Sequence, residues 1–173
     1  YHAKAAAQRI ETALKEELGV EISADAALTL KVRIDDNLCT FSLDTSGDPL
    51  HIRGHKEALN KAPMRESLAA LFLRQCGYDG TEPVLDPMCG SGTFVIEAAE
   101  IARGLYPGRT RRFAFEDLAS FDPEAWATLR QHATRDVPDH FFGSDRDAGA
   151  INISGKNATR AGVADLCHFK THA

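Results

Sequence analysis

The segment VLDPMCGSGTF spans residues 84–94 and has the pattern of a strand that turns into a helix. A short apolar run ends in Asp86, Gly90 and Gly92 follow closely, and helix-forming residues continue to Gly104. Glycines at such a turn let the chain leave a strand sharply and bring backbone N–H groups close to a ligand. The segment therefore predicts the first half of a βαβ unit with a ligand at its glycine turn.

A second strand and helix follow after a polar insertion. HFFGSD ends in Asp145, the next residues predict a helix running to Gly162, and DLCHFK predicts a third strand. The insertion, residues 105–139, is rich in arginine and contains one predicted helix, PEAWATLRQHA, started by Asp122 and Pro123. Strands that alternate with helices predict a parallel sheet.

The residues before this unit have a different pattern. An apolar stripe predicts a helix over residues 2–18, and LTLKVRI and LCTFSLD alternate as the two strands of a hairpin around residues 35–37. LHIRGH, residues 50–55, is a third strand candidate, so the first ~55 residues are expected to form a helix packed on a small antiparallel sheet. A helix from Met64 to Cys76, with Pro63 at its start, then leads to the glycine turn.

The spacing of the turn separates three ligand classes. A phosphate-binding loop needs a second glycine and a lysine at offsets where this turn has neither, and a dinucleotide site needs a third glycine where the chain has Val95. An acid four residues before Gly90 suits S-adenosylmethionine, which carries an ammonium and a sulfonium group where a dinucleotide carries a pyrophosphate. Asp145 is placed to hold the ribose hydroxyls, whereas Asp147 is better placed to cap the next helix. The alternative is a glycine turn that serves packing alone.

Composition restricts the remaining possibilities. The chain has 173 residues, 43% of them hydrophobic, and a formal net charge of −5, which argues against a generally basic nucleic-acid surface. No apolar run reaches the ~20 residues of a membrane span, so a soluble cytoplasmic protein without a membrane partner is expected. Four scattered cysteines and the scattered histidines show no metal-ligand spacing, so no metal is expected. Arg109, Arg111 and Arg112 form a local basic patch that suits a solvated loop or a contact surface.

Residues 86–99 closely resemble the D-P-x-C-G-S-G-T-x-x-I-E-A-A motif of the THUMP-domain RNA methyltransferases. That group contains the bacterial 23S ribosomal RNA guanine-N2 methyltransferases. Residues 50–73 and 141–163 resemble further segments of the same family. The resemblance implies an α/β fold: a partial, Rossmann-like class I methyltransferase domain over residues 81–173, a linking helix over 59–80, and a partial α+β THUMP domain, an RNA-binding module, over 1–58.

The resemblance also implies a set of S-adenosylmethionine contacts. These residues are Asp86, Met88, Cys89, Gly90, Gly92, Thr93 and Asp145. Cys89 lies in the cofactor loop and is expected to be a small packed residue rather than a nucleophile. The N-P-P-Y motif that supplies the family's catalytic acceptors would lie beyond Ala173. The catalytic residues are therefore unknown, and the chain is expected to be a fragment that binds cofactor weakly and does not methylate.

The implied activity is S-adenosylmethionine-dependent methylation of RNA, with guanine-N2 of 23S ribosomal RNA as the expected acceptor. Two alternatives stay open on the same scaffold, adenine-N6 methylation and pyrimidine-C5 methylation. A third, from a different class, is a non-catalytic RNA-binding module. Arg53, His55 and Lys56 could contact RNA phosphate or lie in a solvated loop, and Trp126 could stack on a base or anchor the insertion.

Overall fold

The computed structural model describes residues 2–56, 64–131 and 133–172. Its N-terminal helix, α1, covers Ala3–Leu18 and ends at Gly19, whose φ of 63° and N–H bond to the Lys15 oxygen form the expected C-cap. Among the described residues no side chain of α1 is buried. The expected close packing of this helix on the hairpin is therefore not seen.

The hairpin is formed as the alternating pattern predicted. Strand β1, Thr29–Asp35, pairs antiparallel with β2, Leu38–Asp44, and Asp35 faces Leu38 across a two-residue turn. Asp36 in that turn has a φ of 50°, the left-handed conformation that such short hairpin turns require. The prediction of a third strand at residues 50–55 was wrong, because these residues form a turn and an irregular segment.

The backbone of residues 49–53 is bonded to side chains of the insertion instead of to a strand. Arg111 donates to the main-chain oxygens of Pro49 and Ile52 at 3.0 and 3.2 Å. Thr110 Oγ1 donates to the main-chain oxygen of Arg53. These contacts come from residues about 60 positions away, so the local alternation of residues 50–55 could not reveal them.

The second sheet is parallel, as expected, in the order β3-β4-β5. Strand β3 covers Val84–Asp86, β4 covers Phe141–Asp145 and β5 covers Cys167–Thr171. Two helices pack on this sheet: α3, Thr93–Arg103, and α5, Ala148–Ala161. The core between them contains small side chains and a few large ones, including Val95, Phe141 and Val163, each fully buried.

Two further helices complete the described part of the chain. Helix α2, Glu66–Gln75, packs on α3, and its N-cap is Arg65; the expected role of Pro63 lies outside the described residues. Helix α4, Pro123–Arg130, starts as predicted, because the Asp122 side chain accepts from the backbone N–H groups of residues 124 and 125. In the described ranges no helix is long and apolar enough to cross a membrane.

Candidate ligand-binding site at the glycine turn

Two carboxylates converge on the glycine turn. Asp86 and Asp145 end neighbouring parallel strands, since β3 pairs with β4 along its whole length. Asp86 Oδ1 accepts from the N–H of Met88 at 3.0 Å, and Asp145 Oδ2 accepts from the N–H of Gly90 at 3.0 Å. Both acids therefore face one loop, at the carboxyl edge of the sheet where α/β proteins bind ligands.

Asp145 is held by the backbone on both of its oxygens. Its Oδ1 accepts from the N–H of Asp147 at 3.0 Å while Oδ2 accepts from Gly90. These two bonds lower the pKa of Asp145, the bond from Asp147 most of all. The side chain is half-buried and ionised at neutral pH, so it places a fixed negative charge beside the turn. Asp147 itself caps α5, as its position predicted.

The expected contact residues divide into an accessible and a buried group. Met88 is 82% exposed, and a Cβ added to Gly90 would meet no heavy atom within 4 Å, so the space beside both residues is open. Asp86 and Asp145 are bonded to the N–H groups of these same two residues. The chemistry of this edge, with two acids and a backbone free to approach, suits a ligand that carries cationic and hydroxyl groups.

Gly92 belongs to the buried group, and its lack of a side chain serves the packing of the turn. Its φ is 81°, and an added Cβ would lie 3.0 Å from Ser154 Cβ and 3.1 Å from Phe169 Cζ. The missing side chain therefore makes room for α5 and β5 to pack against the turn.

Cys89 also points inward. Its side chain is 6% exposed, and its N–H donates to the main-chain oxygen of Ser144 at 2.9 Å. Burial raises the pKa of the thiol to about 11, which keeps it protonated at neutral pH. The side chain is thus a packed thiol, and the backbone of Cys89 ties the loop to the end of β4.

Helix α5 holds the loop through two residues that the sequence analysis did not single out. Ser154 Oγ donates to the main-chain oxygen of Gly90 at 2.8 Å, and Asn157 Nδ2 donates to that of Ser91 at 3.0 Å. Both side chains are fully buried. A signal was present in the sequence, because these polar residues lie three positions apart on the helix face that also carries small core residues.

Thr93, the first residue of α3, is bonded to a lysine from the N-terminal side. Its Oγ1 accepts from Lys56 Nζ at 2.8 Å and lies 3.5 Å from Ser91 Oγ. Both Ser91 and Thr93 are buried. The loop from Met88 to Thr93 is therefore fixed by strand ends, by α5 and by Lys56.

Lys56 belongs to a buried set of three ion pairs. Arg53 donates two hydrogen bonds to the carboxylate of Glu97, at 3.0 and 3.1 Å, and Arg109 lies 2.5 Å from Glu100. Lys56 lies 3.9 Å from a third carboxylate, that of Glu66. Burial raises the pKa of Glu97 to about 7, and repulsion from Glu100 acts in the same direction.

This burial corrects the interpretation of Arg53, His55 and Lys56 as RNA contacts or as a solvated loop. Arg53 is 7% exposed and His55 4% exposed, and the Lys56 side chain is 7% exposed. His55 does bring a ring nitrogen within 4.8 Å of carboxylate oxygens of Glu97 and Glu100, a spacing that metal sites use. Because arginines already neutralise both carboxylates, this group is better described as an ion-pair network.

Arg111 and Trp126 of the insertion make internal contacts, whereas the Arg112 side chain is 65% exposed and pairs with Asp117. Arg111 donates to four main-chain oxygens, those of residues 46, 48, 49 and 52, and its guanidinium lies 4.8 Å from the Phe113 ring centre. Trp126 contacts Phe115 edge to face, with ring centres 4.9 Å apart. The tryptophan thus anchors the insertion, and Arg111 joins it to the segment after the hairpin.

Comparison with known proteins places this geometry in a family. Residues 53–173 match the family model UPF0020, described as the RMKL-like methyltransferase domain. The chain belongs to this family. The match begins at Arg53, inside the first of the three domains expected from the sequence, and includes the whole ion-pair network.

The RMKL-like family membership agrees with the relatives of the chain. It is 39% identical over 150 residues to the ribosomal RNA large subunit methyltransferase K/L of Vibrio campbellii, covering 82% of this chain and 21% of that protein. The Vibrio cholerae protein of the same name is 41% identical over 157 residues, covering 86% and 22%. This chain spans about a fifth of the length of the curated relatives it matches.

Solved structures of this fold include a predicted N6-adenine-specific DNA methylase from Listeria monocytogenes, with a TM-score of 0.83 and 34% identity. A second is SMU.472, described as a methyltransferase and complexed with SAH, with a TM-score of 0.82 and 28% identity. Each of the two alignments covers 96% of this chain and 46% of the solved chain. The expected α/β methyltransferase fold and enzyme class are thereby confirmed, and the expected cofactor agrees with the SAH in SMU.472.

Proposed function

We propose that this chain is part of an S-adenosylmethionine-dependent methyltransferase that acts on guanine-N2 of 23S ribosomal RNA. The observation that carries the proposal is the convergence of Asp86 and Asp145 on the N–H groups of Met88 and Gly90. The family match and the shared name of the relatives support the methyltransferase class and the ribosomal RNA acceptor. Such an acceptor places the protein in the cytoplasm.

The accessible residues of the turn fit the proposed cofactor. Asp145, at the end of β4, would accept hydrogen bonds from the ribose hydroxyls. Asp86, at the end of the adjacent strand β3, would face a cationic group of the cofactor. The open side of Gly90 allows the ligand to approach the backbone, and Met88 lies exposed beside it. When bound, S-adenosylmethionine supplies an electrophilic methyl group on its sulfonium. Cys89, Gly92 and Thr93 act from the buried side, where they hold the loop in shape.

The residues of this chain bind and orient, and the acceptor chemistry needs further groups. The exocyclic amine of guanine is a weak nucleophile because its lone pair is delocalised into the ring. Polar acceptors must hold its N–H groups and aim the nitrogen at the methyl group. We place those acceptors in an N-P-P-Y motif after Ala173, as the resemblance implies, and we propose no catalytic role for a residue of this chain.

The domain organisation is part of the proposal. We place a partial THUMP domain at residues 1–58, a linking helix at 59–80 and the first part of the methyltransferase domain at 81–173. The exposed apolar side chains of the hairpin, such as Leu38 at 68% and Phe41 at 54%, fit a module that packs against further chain. The intact protein would then bind RNA through this module.

One alternative acceptor has its own support. The Listeria neighbour is described as an N6-adenine-specific DNA methylase, so adenine-N6 is the second candidate on this scaffold. Pyrimidine-C5 methylation would need a cysteine nucleophile, and the burial and raised pKa of Cys89 argue against that residue in this role. The third alternative, a non-catalytic RNA-binding module, predicts that the protein does not bind S-adenosylmethionine.

A methyl-transfer assay tests the proposed acceptor. The full-length product of the gene that encodes this chain is incubated with labelled S-adenosylmethionine and with either unmodified 23S ribosomal RNA or adenine-containing duplex DNA. We expect label in the RNA, recovered as N2-methylguanosine after nuclease digestion. Label recovered as N6-methyladenine would favour the second candidate, and label in neither substrate would contradict the proposed activity.

A further inference from the structure

Lys56 is a buried lysine whose ammonium group joins three segments of the chain. Its Nζ donates to the main-chain oxygen of Met64 and to Thr93 Oγ1, both at 2.8 Å, and lies 3.9 Å from Glu66 Oε1. Its side chain is 7% exposed and that of Glu66 is 8% exposed. A buried ammonium group without these partners would be costly, so the arrangement depends on all three of them. A role on the protein surface is excluded by this burial.

The bond to Thr93 determines what the threonine hydroxyl can do. A hydroxyl has one proton to donate and lone pairs to accept with. Because Thr93 Oγ1 accepts from Lys56, one of its lone pairs is occupied by the ammonium group. Thr93 Oγ1 also lies 3.5 Å from Ser91 Oγ, and either hydroxyl can be the donor of that contact. Lys56 therefore fixes the position of the hydroxyl of a residue in the glycine turn.

Lys56 also completes the set of bonds that hold the turn. Helix α5 fixes the main-chain oxygens of Gly90 and Ser91 through Ser154 and Asn157. No bond from α5 to Thr93 is seen in the described residues, and the contact from Lys56 takes that place. Lys56 thus contributes to the turn from 37 residues before Thr93 in the sequence.

We infer that Lys56 is a positioning residue for S-adenosylmethionine, acting through Thr93 and the turn that Thr93 closes. The inference rests on the proposed function, because it needs the cofactor at the glycine turn. Lys56 itself does not touch the ligand. Lys56 holds the point where the glycine turn meets the N-terminus of α3. Backbone N–H groups at a helix N-terminus can bind an anionic group of a ligand. The same contact couples the segment before α2 to cofactor binding.

Calorimetric titration of SAH into the full-length protein tests this role with four variants. Lys56→Met removes the ammonium group, and Lys56→Met/Glu66→Gln also neutralises the carboxylate that the first change would leave unpaired. Thr93→Val removes the acceptor at constant shape, and Thr93→Ser retains it. We expect about a tenfold loss of affinity for each of the first three variants and near-normal affinity for Thr93→Ser, by the usual effect of losing a charge-assisted hydrogen bond.

A double-mutant cycle separates positioning from general loosening of the fold. If Lys56 acts through Thr93, then Lys56→Met in the Thr93→Val protein weakens SAH binding no further. The Michaelis constant for S-adenosylmethionine should rise roughly tenfold in the charge-neutral double variant, while that for RNA stays unchanged. Lys31→Met, which removes an exposed ammonium group paired with Asp44, serves as the control and should bind SAH normally.

Two results would overturn the inference. One is wild-type SAH affinity in Lys56→Met/Glu66→Gln, and the other is a strictly additive loss in the cycle. Melting curves of every variant show whether it is folded at the assay temperature. If the unaltered protein binds no SAH, the proposed function itself is wrong. This measurement precedes the variants, so the two kinds of failure are distinguished.

Discussion

At the scale of single residues, Asp145 differs from an ordinary surface acid in its hydrogen-bond partners. Both carboxylate oxygens accept backbone N–H groups, from Gly90 and Asp147. These bonds favour the charged form, so the pKa of Asp145 is lowered on folding. The same charge that the proposed cofactor would meet therefore also stabilises the turn.

This shift predicts a pH-dependent stability. A carboxyl group whose pKa is lower in the folded state stabilises the fold above its unfolded pKa of about 3.9, and that contribution is lost as the pH falls through the folded value. Asp145→Asn should lower the melting temperature at pH 7 by about 2–4 °C, and the difference from wild type should narrow toward pH 3. Circular dichroism melts between pH 3 and 7 measure both values.

Asp25→Asn provides the control for this pH series, because Asp25 is an exposed acid in the loop before β1. Its melting curve should follow wild type at every pH. If the difference in melting temperature between Asp145→Asn and wild type stays constant down to pH 3, the loss of stability is not electrostatic. The bonding geometry at Gly90 and Asp147 would then need another explanation.

At the scale of elements, the turn depends on how closely α5 and β5 approach it. Gly92 allows that approach, since an added Cβ would lie 3.0 Å from Ser154 Cβ and 3.1 Å from Phe169 Cζ. Gly155, one residue beyond Ser154 in α5, has no neighbour within 4 Å of an added Cβ, and its φ is not positive. The two glycines therefore differ in the physical reason for which they are present.

This difference predicts stability changes of opposite sign. Gly92→Ala should destabilise the protein by about 1–3 kcal/mol, because it combines a crowded Cβ with a φ of 81°. Gly155→Ala should stabilise it by about 0.5–1 kcal/mol, because alanine loses less backbone entropy in a helix. Urea unfolding of the two variants, at equal m-values, gives both numbers. Equal effects of the two substitutions would contradict the packing assigned to Gly92.

The sequence predicted these elements better than it predicted their contacts. The glycine ends of α1, α3 and α5 and the alternation of β1 and β2 are local signals, and the structure has helices and strands at those places. Ser154 and Asn157 contact the turn from 64 and 66 residues away, and no local rule connects such positions. Residues 50–55 show the same limit, because the Arg111 and Thr110 side chains that bond to Ile52 and Arg53 are distant in the sequence.

At the scale of the whole molecule, the segment between the two sheets is bound to both the insertion and α3. Arg111 holds the backbone of residues 46–52, and the N–H of Phe115 donates to the Thr45 oxygen at 3.0 Å. Arg53 and Lys56 continue the connection into α3 through Glu97 and Thr93. Arg53, Lys56 and Arg111 thus join parts of the fold, because their carboxylate, hydroxyl and carbonyl partners are distant in the chain.

The central claim is that S-adenosylmethionine binds where Asp86 and Asp145 converge on the glycine turn. Calorimetric titration of SAH into the full-length protein, compared with its Asp145→Asn variant, tests it most directly. We predict one binding site per chain and a loss of at least about tenfold in affinity for the variant, roughly 1.4 kcal/mol. Equal affinities of two folded proteins, or no binding by the unaltered one, would contradict the claim.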